Sequence, residues 1–171
     1  MECRDWLIYV VTPFAATFTG VFLAFVLATK RERRKRKEEQ SETKKKTKEI
    51  LINELSNMKA NLDGATSLRS QYGNDYIPNI DFLTDAKQSI VNSGAFSLLE
   101  MELQADVSHI YAVIERAQAF LSQMREFDMS VAISMTTRNK IWDNKVINFW
   151  GQVNHLQNNI PSLLEKLRKQ N

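Results

Sequence analysis

The chain has 171 residues, 43% of them hydrophobic and 25% charged, with a formal net charge of +3 and a single cysteine, Cys3. One cysteine excludes an intrachain disulfide framework and any cysteine-rich metal site. The positive charge is local: residues 30–49 carry eleven Lys/Arg against five Glu, while residues 50–171 carry eleven basic and thirteen acidic side chains. A nucleic-acid-binding domain spreads Lys/Arg over a folded face, so this distribution argues against nucleic acid as a partner.

The first element is Trp6 to Thr29, WLIYVVTPFAATFTGVFLAFVLAT, which contains no charged residue. About 20 apolar residues of helix cross the hydrocarbon core of a bilayer, so the stretch predicts a transmembrane helix. Pro13 stands near its start, where a missing N–H costs little. A helix from Thr12 to Thr29 is about 27 Å long at 1.5 Å per residue. The rival reading is a cleaved signal peptide, with Val26-Leu27-Ala28 as the cleavage site. Against it stand the weak basic charge before the stretch, where Glu2 and Asp5 offset Arg4, and an apolar core longer than signal peptides use. Trp6 and Tyr9 occupy positions suited to an interfacial aromatic belt.

Lys30, Arg31, Arg33, Arg34, Lys35, Arg36 and Lys37 follow directly, interrupted only by Glu32. Basic residues flanking a span stay cytoplasmic, which predicts a single-pass protein of the cell membrane with Met1–Asp5 outside and everything after Lys30 inside. The block reads as an anionic lipid headgroup site or as a topology signal alone. Within the span, Ala16, Gly20, Ala24 and Ala28 recur every four residues. This small-residue stripe reads either as a helix-association face or as ordinary small-residue usage.

Residues 30–49 form a charged juxtamembrane stalk, either a continuing helix or a flexible linker. Glu32→Arg36 and Glu42→Lys46 attract at i,i+4, and Glu38→Glu42 repels. Apolar positions then return as Leu51, Leu55, Met58 and Leu62, a helical stripe. This helix is expected to end near Asn61, with Gly64 as its cap. Leu68–Leu83, rich in turn formers, is expected to be a loop packed through its apolar residues. Thr84 is the expected N-cap of a short helix stopped by Gly94. Ser97 with Glu100 suggests a capping box for the next one.

That next helix carries Leu99, Leu103, Val107, Ile110, Ile114, Ala117, Leu121 and Met124 at steps of three and four. Asp128–Ser134 is the expected connection. A last segment from about Thr136 carries Trp142, Val146, Phe149, Val153, Leu156, Ile160, Leu163 and Leu167, a heptad seam. Pro161 is expected to kink or restart it. The fold class is therefore all-α: a transmembrane helix of residues 1–29, the stalk, and an antiparallel helical bundle over residues 50–171. An extended intermolecular coiled coil is the alternative.

The stretch PNIDFLTDAKQSIVNSGAFSLLEMELQADVSHIYAVIE, Pro78–Glu115, resembles a pattern in small prokaryotic single-pass membrane proteins of unassigned function. These also carry an N-terminal span, a basic run and a helix similar to EILINELSNMKANL. The resemblance implies a membrane anchor with a cytoplasmic helical domain and attaches no activity to it.

No catalytic, cofactor-binding or metal-ligating constellation emerges. His109 follows Asp106 by three residues and Glu102 by seven, and one Asp-x-x-His is too little for a metal site. Glycines are too scattered for a phosphate-binding loop, and nothing marks a nucleophile elbow. The expected function is a non-enzymatic, membrane-anchored interaction or scaffold module that holds a protein partner or a second copy. Its alternative is a membrane effector or channel-associated subunit assembling through Ala16, Gly20, Ala24 and Ala28. An enzyme with a cryptic site is the third possibility.

Overall fold

A computed structural model describes residues 12–73, 76–82, 84–128 and 135–169, with side chains described for residues 17–73, 76–82, 84–126 and 140–169. The expected connection over residues 129–134, the aromatic residues Trp6 and Tyr9, and the side chain of Ala16 lie outside these. The chain divides into two units, Met1–Glu42 and Thr43–Asn171. Four α-helices account for most of it, and no strand occurs among the described residues.

Helix α1 spans Thr12–Tyr72. In the first unit, i,i+4 ion pairs line it at Glu32–Arg36 (2.6 Å), Arg34–Glu38 (3.1 Å) and Lys35–Glu39 (3.9 Å). The last two had no place in the sequence reading. Each is exposed and contributes only about 0.3–0.5 kcal/mol, but the block has no Gly or Pro to oppose them.

In the second unit α1 does not stop near Asn61. It continues through Gly64 to Tyr72 and ends at Gly73, whose φ of +97° is the left-handed conformation of a helix cap. The Gly73 amide donates to the Arg69 carbonyl at 2.9 Å. A mid-helix glycine costs about 0.5–1 kcal/mol. Leu62 and Ala65, buried on either side of Gly64, outweigh that cost.

Helix α2, Asp85–Asn92, starts after Thr84, but the Thr84 side chain caps nothing. The Glu54 carboxylate of α1 takes over, accepting the Ala86 amide at 2.9 Å. Gly94, at φ +73°, ends the segment as expected. The capping box at Ser97 is not formed. A 3₁₀ turn, Ala95–Leu98, intervenes, and the Ser97 hydroxyl donates backwards to the Gly94 carbonyl at 2.7 Å. Helix α3, Met101–Asp128, begins only after buried, extended Leu99. Helix α4, Met135–Lys169, continues through Pro161.

Side-chain pairs set the directions of these helices. Lys44 meets Glu100 and Glu54 meets Tyr111, so the second-unit part of α1 runs parallel to α3. Lys145 meets Gln123, His155 meets His109 and Lys166 meets Glu102, so α4 runs antiparallel to α3. Gln157 meets Asp63, and Arg69 lies 4.6 Å from the Trp150 ring centre, so α4 opposes α1 as well. The antiparallel expectation thus holds for α4 but not between α1 and α3. Residues 73–100 carry the chain back from the end of α1 to the level of its Lys44.

The core is a single cluster fed by all of these elements. All eight expected positions of α3 are buried. So are those of α4, except that Trp142 is only partly covered. Tyr111 and Val113 in α3, with Trp150 and Leu164 in α4, widen each seam into a band. This suits helices that contact two neighbours rather than one.

Candidate functional site

Two surfaces and two polar clusters stand out, and each belongs to one unit. In the first unit, every side chain from Thr17 to Ala28 is exposed. Phe18 and Phe25 are each 69% exposed, and Val21, Phe22, Leu23, Val26 and Leu27 are also open. At 100° per residue these side chains point to all sides of the helix. Even the Thr29 hydroxyl is satisfied within the helix, donating to the Phe25 carbonyl at 2.9 Å.

Of the expected association stripe, Gly20, Ala24 and Ala28 are exposed, and nothing lies within 4 Å of a Cβ built on Gly20. Ala16 lies outside the described side chains. The seven expected headgroup residues, Lys30, Arg31, Arg33, Arg34, Lys35, Arg36 and Lys37, are all exposed. Arg34, Lys35 and Arg36 are engaged by Glu38, Glu39 and Glu32. Lys30, Arg33 and Lys37 recur at steps of three and four, on one side of the helix.

Among the described residues, no helix is long and apolar enough to cross a membrane. The side chains of Trp6–Ala16, the first half of the uncharged stretch, stand outside that count.

In the second unit, Glu54 joins three helices. One carboxylate oxygen accepts the Tyr111 hydroxyl of α3 and the other the Ala86 amide of α2. Lys87 lies 5.3 Å from the Tyr111 ring centre and pairs with Glu115 at 3.5 Å. Burial, reinforced by the Glu54 carboxylate, pushes the Tyr111 phenol above its ordinary value of 10.0. Lys48, 2% exposed, is pushed down by burial and by Lys44, with Glu100 opposing. The Asp63 carboxyl is held down by hydrogen bonds from Lys59 and Gln157.

The second cluster lies between α3 and α4. His109 and His155 bring their Nε2 atoms to 3.2 Å, and Lys166 bridges Asp106 at 2.7 Å and Glu102 at 3.0 Å, one and two turns before His109 on α3. Sequence reasoning treated His109 alone and missed this pairing. A signal was there: each histidine directly precedes a seam residue, Ile110 and Leu156, and antiparallel seams juxtapose such positions.

A cleft of about 410 Å3 lies between α1 and the segment after it, lined by Ala60, Gly64, Leu68, Tyr76, Pro78 and Ile80 among others. No group of three or more His, Cys, Asp or Glu that could hold a metal occurs among the described residues.

Compared with family models, with characterised proteins and with solved structures, the chain matches none.

Proposed function

We propose that the protein is a membrane-anchored helical interaction module with no catalytic role. Its Trp6–Thr29 stretch enters the bilayer, its basic block rests on anionic headgroups of the cytoplasmic leaflet, and its bundle is held at that surface for a protein partner or a second copy. One observation carries the reading: an apolar helix surface, Phe18 to Leu27, exposed on all sides and running directly into exposed cationic residues. A helix that is apolar all round needs a nonpolar sheath. In hydrocarbon its backbone is already satisfied internally. Each Lys or Arg near an anionic surface adds about 1 kcal/mol of attraction. The resemblance to prokaryotic single-pass membrane proteins agrees with this assignment.

The test is extraction of the full chain from cell membranes with alkaline carbonate, combined with labelling of Cys3 from outside intact cells. Retention in the pellet and external labelling are expected. Release into the supernatant would end the anchor assignment, and an unlabelled Cys3 the orientation.

A second reading, a channel-associated or effector subunit, draws on the open Gly20 face. If the small-residue stripe joins two spans, Gly20→Ile will abolish association in a membrane. If the span is a passive tether, association will be unchanged.

A further inference from the structure

The bundle brings together the only two histidines of the chain, from positions 46 residues apart. Their Nε2 atoms are 3.2 Å apart and their ring planes meet at 64°. The helices that carry them are tied on both sides of the pair, by Lys166 to Glu102 and Asp106 and by Lys145 to Gln123. Ile110 and Leu156, the next residues in each helix, are buried in the core. The bundle therefore sets this spacing, and both rings are exposed to solvent.

Two imidazole nitrogens on one tetrahedral zinc ion, each at about 2.0–2.1 Å, stand about 3.3 Å from each other. The observed separation is within a few tenths of an ångström of that value. The nearest acidic groups on α3, Asp106 and Glu102, are already engaged by Lys166. On α4 the Asn159 amide donates to the His155 carbonyl at 2.7 Å. Neither arrangement consumes an Nε2 lone pair.

We propose that His109 and His155 form a two-imidazole site for a divalent transition metal of the zinc, nickel or copper class, which clamps α3 to α4. Without metal, one Nε2–H donates to the other Nε2. On binding, that proton moves to Nδ1 of its own ring, so both Nε2 lone pairs face the ion and no net charge leaves the rings. No third side chain among the described residues completes the set, so water fills the remaining positions. Magnesium and calcium, which demand oxygen ligands, do not fit. Imidazole suits the borderline metals.

The test uses the full chain in detergent, without a histidine tag and with Cys3→Ser throughout to remove the one thiol. Zn2+ and Mg2+ are titrated by calorimetry, and melting temperature is followed with and without Zn2+. One Zn2+ per chain is expected, with no Mg2+ uptake and a higher melting temperature in Zn2+. His109→Ala and His155→Ala are each expected to weaken Zn2+ binding by about 100-fold or more, since even the loss of an outer-shell partner costs 10–100-fold. Both side chains are exposed, so the variants keep the fold, and Asp106→Asn is expected to leave Zn2+ affinity unchanged. Zn2+ affinity that is equal in the native chain and both histidine variants, or a melting temperature that Zn2+ does not raise, overturns the proposal.

Discussion

The two units handle apolar side chains in opposite ways. From Phe18 to Leu27 they point outward on every side of the helix and stay exposed. From Leu51 onward they recur at steps of three and four and disappear into a shared core. Both stretches are helical and rich in large apolar residues, so amount does not separate them. Pattern does: a stripe can be covered by two neighbouring helices, whereas a cylinder needs a nonpolar surround.

The largest way to break this contrast is to remove a core aromatic. Phe149→Ala, at a fully buried position, is expected to destabilise the bundle by about 3–5 kcal/mol. Phe22→Ala, in the exposed stretch, should change bundle stability by less than about 0.5 kcal/mol. Urea unfolding in detergent measures both, and equal losses would erase the distinction.

A second test sharpens the polar side of the core. Tyr111→Phe removes a hydrogen bond to the Glu54 carboxylate and should cost about 1.5–3 kcal/mol, the range for bonds to charged groups. Tyr111 ionises less readily when folded than when unfolded. Its contribution is therefore complete below pH 10.0 and declines as pH rises above that value, where the unfolded chain releases the proton first. The alkaline loss of stability should be shallower in Tyr111→Phe than in the native chain.

The smallest effect separates two glycines. Gly64 lies within α1, and a Cβ added there meets nothing within 4 Å. Gly64→Ala should stabilise by about 0.5–1 kcal/mol. Gly73→Ala should destabilise by about 1 kcal/mol or more, because φ is +97° there. A shift of the same sign in both variants would contradict the cap assignment.

These glycines also mark how far the sequence could be read. The seams of α3 and α4 were legible because burial against neighbouring helices imposes their spacing directly. Gly94 was legible because a short helix ended where the apolar pattern restarted. Gly64 misled because a lone glycine signals a stop only when packing does not carry the helix past it. Thr84 and Ser97 misled because their hydroxyls are good caps in isolation, while Glu54 and a 3₁₀ turn, placed by tertiary contacts, took those roles. The parallel course of α1 and α3, and with it the Glu54–Tyr111 bond, depends on the return of residues 73–100, which no local pattern encodes. The histidine pair needed the register of two helices at once. In the first unit the exposed apolar surface and the exposed basic side chains follow from an apolar run with no polar face and the basic run after it.

The return of residues 73–100 has a consequence for synthesis. Lys166 closes onto Glu102 and Asp106, and Leu163, Leu164 and Leu167 complete the core beside them. Without α4, the apolar side chains of α1 and α3 that it covers in the finished bundle would lie open. A nascent chain stalled before Leu163 would lack Leu163, Leu164 and Leu167 and so leave the part of the core that they close uncovered.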